Sequence, residues 1–374
     1  MDFSLNDDHL ALRDAVQRFC EGEFPAEQRG NPASPEASAQ RWTAMAGLGL
    51  LGLPLPVEQG GSGLGAVEVM VAAQEMGRAL AGDAFVASTV VAGGLIAGCG
   101  SPAQRNQWLP ALASGELQAA LAVNEEGARH DWTQTVCQAR RAGEGWVLEG
   151  RKTLVLHGDS AGLLLVLARS GGVAGERAGL SVFAVEAHTP GVTVQGFDTL
   201  DGRRAAHVTL QAVALGMDRL IGDAGQAADA VEAALDAGAA ALCAEAAGAV
   251  EALLTQTADH LRTRKQFGAP LAKFQVLQHR VADMLIALEQ LKSMACAAAM
   301  AVEAGDPVQR RRLVSAAKML AGQQGRAQGL AAIQMHGAMG MTDECRVGHY
   351  AKRLMVIDQL YGDAAWQRQR LATA

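Results

Sequence analysis

The chain has 374 residues, 49% of them hydrophobic and 19% charged, with a formal net charge of -7. That length suits two or three subdomains around a buried core, and the acidic balance gives no reason to expect nucleic acid as a partner. Its six cysteines are scattered, with no C-x-x-C pair and no adjacent His or Asp cluster. No metal site is therefore expected, and free thiols of this kind indicate a reducing, cytoplasmic setting.

The N-terminus, Met1-Asp2-Phe3-Ser4, lacks an apolar signal core. The longest apolar run, Leu163 to Ala168, is too short to span a bilayer, so no membrane association is expected. Residues 4 to 28 read as an amphipathic helix capped by Ser4 or Asn6, with Leu10, Val16 and Phe19 near helical spacing. Asn31 to Ser38, with two prolines and two serines, reads as an exposed loop. A second helix is expected over Trp42 to Leu51, closed by Gly52 and Pro54. Gly47-Leu48-Gly49-Leu50-Leu51-Gly52 matches G-x-G-x-x-G, but it follows a helix and runs into prolines, so it is a helix end and not a dinucleotide loop. Helical pattern resumes over Ala66 to Gly82, Ser88 to Gly98 and Gln104 to Ser114.

The pattern changes near Gly115. Trp146 to Gly150, Leu163 to Leu167, Leu180 to Val185 and His207 to Leu210 alternate or run in short apolar blocks between turn signals. They read as strands of a small antiparallel β domain, with no intervening helices to make a parallel sheet. From Ala224 the helical period returns. Ala228 to Leu261 is rich in Ala and Leu, and Phe274 to Ala304, Pro307 to Met339 and Cys345 to Ile357 continue it as a bundle. The expected fold is mainly α with a central β domain. It comprises an N-terminal helical domain (1–115), a middle antiparallel β-barrel or sandwich (116–218) and a C-terminal four-helix bundle (219–374).

Two motifs carry chemistry. Arg262-Thr263-Arg264-Lys265-Gln266-Phe267-Gly268, followed by Phe274-Gln275, sets a cationic fork beside aromatic faces, which suits an anionic, ring-bearing ligand. Read alone, it also suits a basic helix end that complements the helix dipole. The second motif is Gln334-Met335-His336-Gly337-Ala338-Met339-Gly340. Together they resemble the signatures of the acyl-CoA dehydrogenase family of flavoproteins, and the resemblance runs from about residue 3 to the C-terminus. Leu156 to Ala161, Leu242 to Ala246 and Tyr361 to Ala364 look like the pimeloyl-CoA dehydrogenase small-subunit group within it.

The resemblance implies FAD, an acyl-CoA substrate, an electron-transfer flavoprotein as partner, and a homo- or hetero-tetramer. It places Arg264 at the FAD pyrophosphate, with Phe267, Phe274 and Gln275 nearby, and Gln334, Gly337 and Gly340 at the adenosine end of a neighbouring subunit's cofactor. Leu121 to Asp131 is similar to the family's Val-Thr-Glu-Pro-Gly-x-Gly-Ser-Asp loop, so Val123 and Asn124 are expected at the flavin. His130 replaces the serine expected at the acyl-CoA. Lys152 to Gly158 is similar to Lys-x-Trp-Ile-Thr-Asn-Gly, which puts Leu156 and His157 near the flavin edge.

The base is the least settled element. Relatives carry a Glu after a Tyr near the C-terminus, where this chain reads Leu360-Tyr361-Gly362-Asp363. Anchoring on Tyr361 puts Gly362 in the slot, whereas anchoring on Gln369-Arg370-Leu371 puts Asp363 there. Asp363 also suits a helix N-cap. The alternative position on the long helix falls at Gly238, with Glu245 two turns further on the same face; an interhelix ion pair is the plainer reading of Glu245. Two functions follow. One is an FAD-dependent dehydrogenase that converts an acyl-CoA to the trans-2-enoyl-CoA. The other is a base-lacking subunit that supports a flavin site in an α2β2 assembly.

Overall fold

The computed structural model describes residues 4–25 and 34–373. Helix α1 (Asp7–Glu23) is capped by Asn6: its side chain accepts from the His9 amide at 2.8 Å, and the His9 ring faces the Asn6 amide in return. The helix ends at Glu23, short of Phe24 and Pro25 of the expected span; residues 26–28 lie outside the described residues, as do residues 31–33 of the expected loop. The remainder of that loop is a correction. Pro35 to Ser38 form the first turn of α2 (Pro35–Gly47), because Ser34 caps the helix and Pro35 takes the position where a missing N–H costs nothing. Helix α3 (Ala66–Ala79) follows. The chain then winds as π-helix over Phe85–Gly93 before α4 (Gly94–Cys99) and α5 (Pro102–Ala113).

An eight-stranded sheet comes next: β1 (Ala119–Ala122), β2 (Gln138–Ala142), β3 (Gly145–Leu156), β4 (Leu163–Arg169), β5 (Leu180–Glu186), β6 (Val192–Asp198), β7 (Arg204–Gly216) and β8 (Leu220–Ile221). The order is β6-β7-β3-β2-β4-β5-β8, with β1 beside β4. Most neighbours are antiparallel, as expected. The departures are at β4: β1 runs parallel to it, Ala119 opposite Leu163 through Ala122 opposite Val166, and β2 meets it in parallel at Gln138 and Arg169. A long connection separates β1 from β4, and β3 intervenes between β2 and β4, which makes parallel pairing possible.

The C-terminal unit is α6 (Ala228–Thr263), α7 (Gln275–Ala304), α8 (Pro307–His336), α9 (Val347–Gln359) and α10 (Ala364–Ala372). Helix α6 is the axle of the molecule, packing on α3 as well as on α7, α8 and α9. Its alanines permit close approach, and the run Gly238 to Val250 is buried throughout. Both α6 and α7 are long and apolar enough to cross a membrane by length and composition; 78% of the apolar window of α6 and 50% of that of α7 is buried within the fold. Between α6 and α7 the basic motif forms a two-stranded hairpin, Lys265–Gln266 with Ala269–Pro270 (β9 and β10). Phe267 and Gly268 turn it with φ of 54° and 76°.

Candidate active site

Where the β domain meets α6 and the α9–α10 turn, a cavity of about 420 Å³ opens. Its apolar walls come from Ala87 and Val91 of the π-helical segment, Leu121 and Val123 of β1 and its loop, Leu154 and Leu156 of β3, and Tyr361 and Trp366. A second groove of about 470 Å³ shares Leu154, Gln359 and Leu360 with it and runs between Phe197 and Leu200 on one side and Met355 and Val356 on the other.

The loop after β1 is fixed from behind. Lys152, fully buried on β3, donates to Glu125 at 2.6 Å and to the Val123 carbonyl at 3.3 Å. Glu125 in turn accepts from the Val136 and Cys137 amides. The Thr153 amide donates to the Asn124 carbonyl at 2.8 Å, and a bulge in β3 turns Leu154 to a φ of 48°. The result is a rigid edge that presents Val123, Asn124, Leu154 and Leu156 to the cavity. Asn124 brings a side-chain amide there that hydrogen-bonds to none of the described residues. His157 is one residue beyond, but it faces a different recess, lined by Arg203 and Arg353. Burial, reinforced by Arg203, pushes its pKa down to about 4, so it is neutral near pH 7.

The α9–α10 turn is the other wall. Tyr361 and Gly362 have φ of 53° and 99°. Gly362 lines the cavity, and Asp363 beside it caps α10, accepting from the Trp366 amide at 2.8 Å. The other carboxylate oxygen of Asp363 lies 3.3 Å from Arg129 and 3.3 Å from His130. Burial raises the Asp363 pKa, but the Trp366 amide and His130 outweigh it and hold the carboxyl below its usual range. Gly238 does not reach the cavity. A Cβ there would meet Val91 at 2.6 Å and the Tyr361 ring at 2.9 Å, so glycine is what lets Tyr361 lie against α6. Glu245 is also apart from the cavity, engaged by Arg203 at 2.6 Å and by Arg353 at 2.7 Å.

Sequence reading missed three participants. Lys318 of α8 is fully buried and donates to the carbonyls of Asp358 (3.0 Å) and Gly362 (2.9 Å), clamping the turn. Trp366 forms the cavity's aromatic wall. Arg370 reaches back to bind Asp236 at 2.6 Å and Glu232 at 3.0 Å. Burial raises the Glu232 pKa, but its bonds from Arg311 and Arg370 overcome this and bring it down to about 2. A lone Lys in the apolar periodicity of α8 was the one available signal; the partners of Trp366 and Arg370 are too distant in sequence to read.

The Lys318 clamp has a measurable consequence. Lys318→Met leaves the Gly362 carbonyl and the part-buried Asp358 carbonyl without this donor and is expected to cost about 2–6 kcal/mol, at roughly 1–3 kcal/mol per orphaned group. Burial pushes the Lys318 pKa down to about 8, below its unfolded value. The unfolded chain therefore holds more protons between those two values, and wild-type stability gains from this group as pH rises through that window. Urea melts at pH 7 and at pH 9.5 should show the gap between wild type and variant widening at the higher pH.

The residues of the two motifs lie elsewhere. Arg264 and Phe267 are exposed, Phe267 at 88%, with Phe274 edge-on to it at 6.0 Å and Gln275 opening α7. Gln334 and Gly337 are exposed at the end of α8, and Gly340 is buried. The two segments meet where His260 stacks on His336 at 4.3 Å. At 1.5 Å per helical residue, Arg264 is roughly 40 Å along α6 from Asp236 at the cavity, too far for one dinucleotide to touch both within one chain.

The chain is thus a three-part molecule, helical, β and helical in sequence order, with a partly apolar cavity and an adjoining apolar groove where the parts meet. Comparison with known proteins identifies the lineage. The acyl-CoA dehydrogenase N-terminal, middle and C-terminal domain families match residues 6–116, 120–213 and 227–374. The chain is 27% identical to the probable acyl-CoA dehydrogenase YngJ of Bacillus subtilis, covering 100% of this chain and 99% of that one. It is 28% identical to the mitochondrial short-chain specific acyl-CoA dehydrogenase of Homo sapiens, covering 98% and 90%. The structure of butyryl-CoA dehydrogenase from Megasphaera elsdenii superposes with a TM-score of 0.91 at 23% identity, over 100% of this chain and 99% of that one, and shares the fold. The chain belongs to the acyl-CoA dehydrogenase family, whose members carry FAD. The groove beside Leu154 suits such a ring, and the unpartnered Asn124 amide stands in the adjoining cavity across that wall. Neither the pimeloyl-CoA small-subunit resemblance nor the base-lacking-subunit alternative finds support in these comparisons.

Proposed function

We propose that this chain is an FAD-dependent acyl-CoA dehydrogenase that converts an acyl-CoA thioester to the trans-2-enoyl-CoA and passes the electrons to an electron-transfer flavoprotein. The observation that carries this reading is the partly apolar cavity abutting the apolar groove across Leu154 and Leu360. A chain in the first would lie edge to edge with a ring in the second. When bound, the flavin supplies the hydride acceptor. The protein's own part is to position and to exclude water. Val123, Asn124 and Leu156 line the cavity beside Leu154, the wall it shares with the groove, where the Asn124 amide would donate to the near edge of the ring; His157, expected at the flavin from the resemblance, faces the neighbouring recess instead. Leu121, Val91 and Trp366 shed water around the acyl chain, which strengthens every polar contact made there.

Arg264, Phe267, Phe274, Gln275, Gln334, Gly337 and Gly340 serve the cofactor of a second subunit in a cytoplasmic homo- or hetero-tetramer. Their distance from this chain's own cavity along α6 supports that assignment. His130 is taken as the substrate contact at the cavity mouth. The domain division is proposed at 115/116 and 218/219, with β8 carrying the sheet a few residues past the second boundary.

The test is the visible spectrum of the purified protein before and after anaerobic addition of straight-chain, branched and dicarboxyl acyl-CoAs. Bleaching of the flavin band by at least one of them is the expected result. A flavin-loaded protein that no member of the panel bleaches would sink the dehydrogenase reading.

A further inference from the structure

The proposed reaction needs a group to take the α-proton, and the cavity's titratable side chains are mostly committed elsewhere. Glu125 is held by Lys152 at 2.6 Å. Glu232 is held by Arg311 and Arg370, and Asp236 by Arg310 and Arg370. Burial pushes the Tyr361 phenol far up, so it is no proton acceptor. His130 is different. It lines the cavity, is 15% exposed, and meets the Trp366 ring edge-on at 6.3 Å. Its Nε2 is buried, lies 3.3 Å from Asp363 Oδ2 and is not aligned for a hydrogen bond to any described residue. Nδ1 has no hydrogen-bond partner among the described residues either, and it is not sealed from solvent as Nε2 is.

We propose that His130, backed by Asp363, is the base of the reaction, with Nδ1 taking the α-proton of the acyl thioester. This rests on the dehydrogenase reading above. The Cα–H bond breaks, an Nδ1–H bond forms, and the electron pair moves into the thioester carbonyl as an enolate. Asp363 stays ionised. It accepts from Nε2–H once the side chains settle on substrate, fixes the tautomer and stabilises the imidazolium; such bonds are commonly loose before substrate binds. The groups facing His130 are Asp363 from the α9–α10 turn, Arg129 from its own loop and Lys318 from α8. Burial lowers its pKa and Asp363 pulls it back up, which leaves a neutral imidazole ready to accept a proton.

The experiment follows α-proton exchange in D2O by NMR, alongside anaerobic flavin bleaching, on the FAD-loaded protein with the acyl-CoA that bleaches it fastest. His130→Gln should slow both by roughly 10²–10⁴-fold while flavin content and thermal midpoint hold. Asp363→Asn keeps a side chain competent to cap α10. It should slow exchange and move the ascending limb of the pH–rate profile to lower pH, because the carboxylate that raised the His130 pKa is gone. A purely structural Asp363 would leave that limb in place. Wild-type exchange in His130→Gln overturns the proposal, and loss of exchange only in Asp363→Asn makes Asp363 itself the base. Exchange without bleaching in the wild type keeps the dyad and removes the dehydrogenase reading; neither exchange nor bleaching removes both.

Discussion

Glu245→Gln is expected to destabilise the fold by about 3–5 kcal/mol, the range for removing one partner of a buried charge cluster. Glu245 lies mid-way along α6 and is 3% exposed. Arg353 of α9 grips it with two nitrogens, at 2.7 and 2.8 Å, and binds Asp201 of the β6–β7 turn at 2.8 Å. Arg203 reaches it at 2.6 Å and also donates to the Ala81 carbonyl after α3. Two arginines and two carboxylates thus join all three parts of the chain at one point. The arginines are not equal. Burial lowers both pKa values, yet Glu245 and Asp201 lift Arg353 well above normal, while like-charge repulsion from Arg353 keeps Arg203 below. Removing the carboxylate leaves Asp201 to face both buried arginines, and that uncompensated positive charge is the main source of the cost.

Acid should act on the same cluster. Burial raises the pKa of Glu245 and of Asp201, but the two arginines outweigh it and leave both below their unfolded values. The stability they supply is present above the unfolded carboxylate pKa, about 4, and is lost as pH falls through the folded values. Urea melts at pH 7 and pH 3 should therefore show wild type losing more than Glu245→Gln on acidification. In the cycle with Arg353→Met, the double variant should cost less than the sum of the singles. Simple additivity would show that the cluster is not coupled.

This cluster also marks how far the sequence could be read. A carboxylate in the Ala-Leu-Cys stretch of α6 is legible as an interhelix contact, because burial of a charge demands a partner. That the partner is Arg353, 108 residues away, is not legible, since nothing local distinguishes that arginine from its neighbours. The same contrast runs through the molecule. Helical and strand period found the three-part order, for each element's apolar face repeats along its own sequence. The start of α2 was missed because Pro35 reads as a loop breaker until Ser34 is seen capping it. The cavity joins β1, β3, the π-helical segment and the α9–α10 turn, so its residues are found only by tertiary contact. Asp363 admitted two readings from sequence, and in the structure its carboxylate both caps α10 and faces His130.

The turn that holds Asp363 yields the second large effect. Gly362→Glu, the substitution that places a carboxylate directly after Tyr361, is expected to destabilise the chain by about 2–6 kcal/mol and to leave the flavin no easier to bleach. Two causes contribute. A φ of 99° lies where side chains are strained, costing about 1–3 kcal/mol. A Cβ there would run into the Trp366 ring and come within 2.8 Å of Gln367 Nε2, and overpacking of this kind costs about 1–3 kcal/mol more. Gln367 cannot simply withdraw, because its side chain donates to the Tyr361 carbonyl at 2.8 Å and braces the same turn. Adding Trp366→Ala should relieve the collision but not the backbone strain, so the double variant should recover only part of the loss. Full recovery would assign the cost to the ring alone. A single variant as stable as wild type would show that the turn has room for a side chain at Gly362, and the case for a proton acceptor on the opposite wall would lose its steric support.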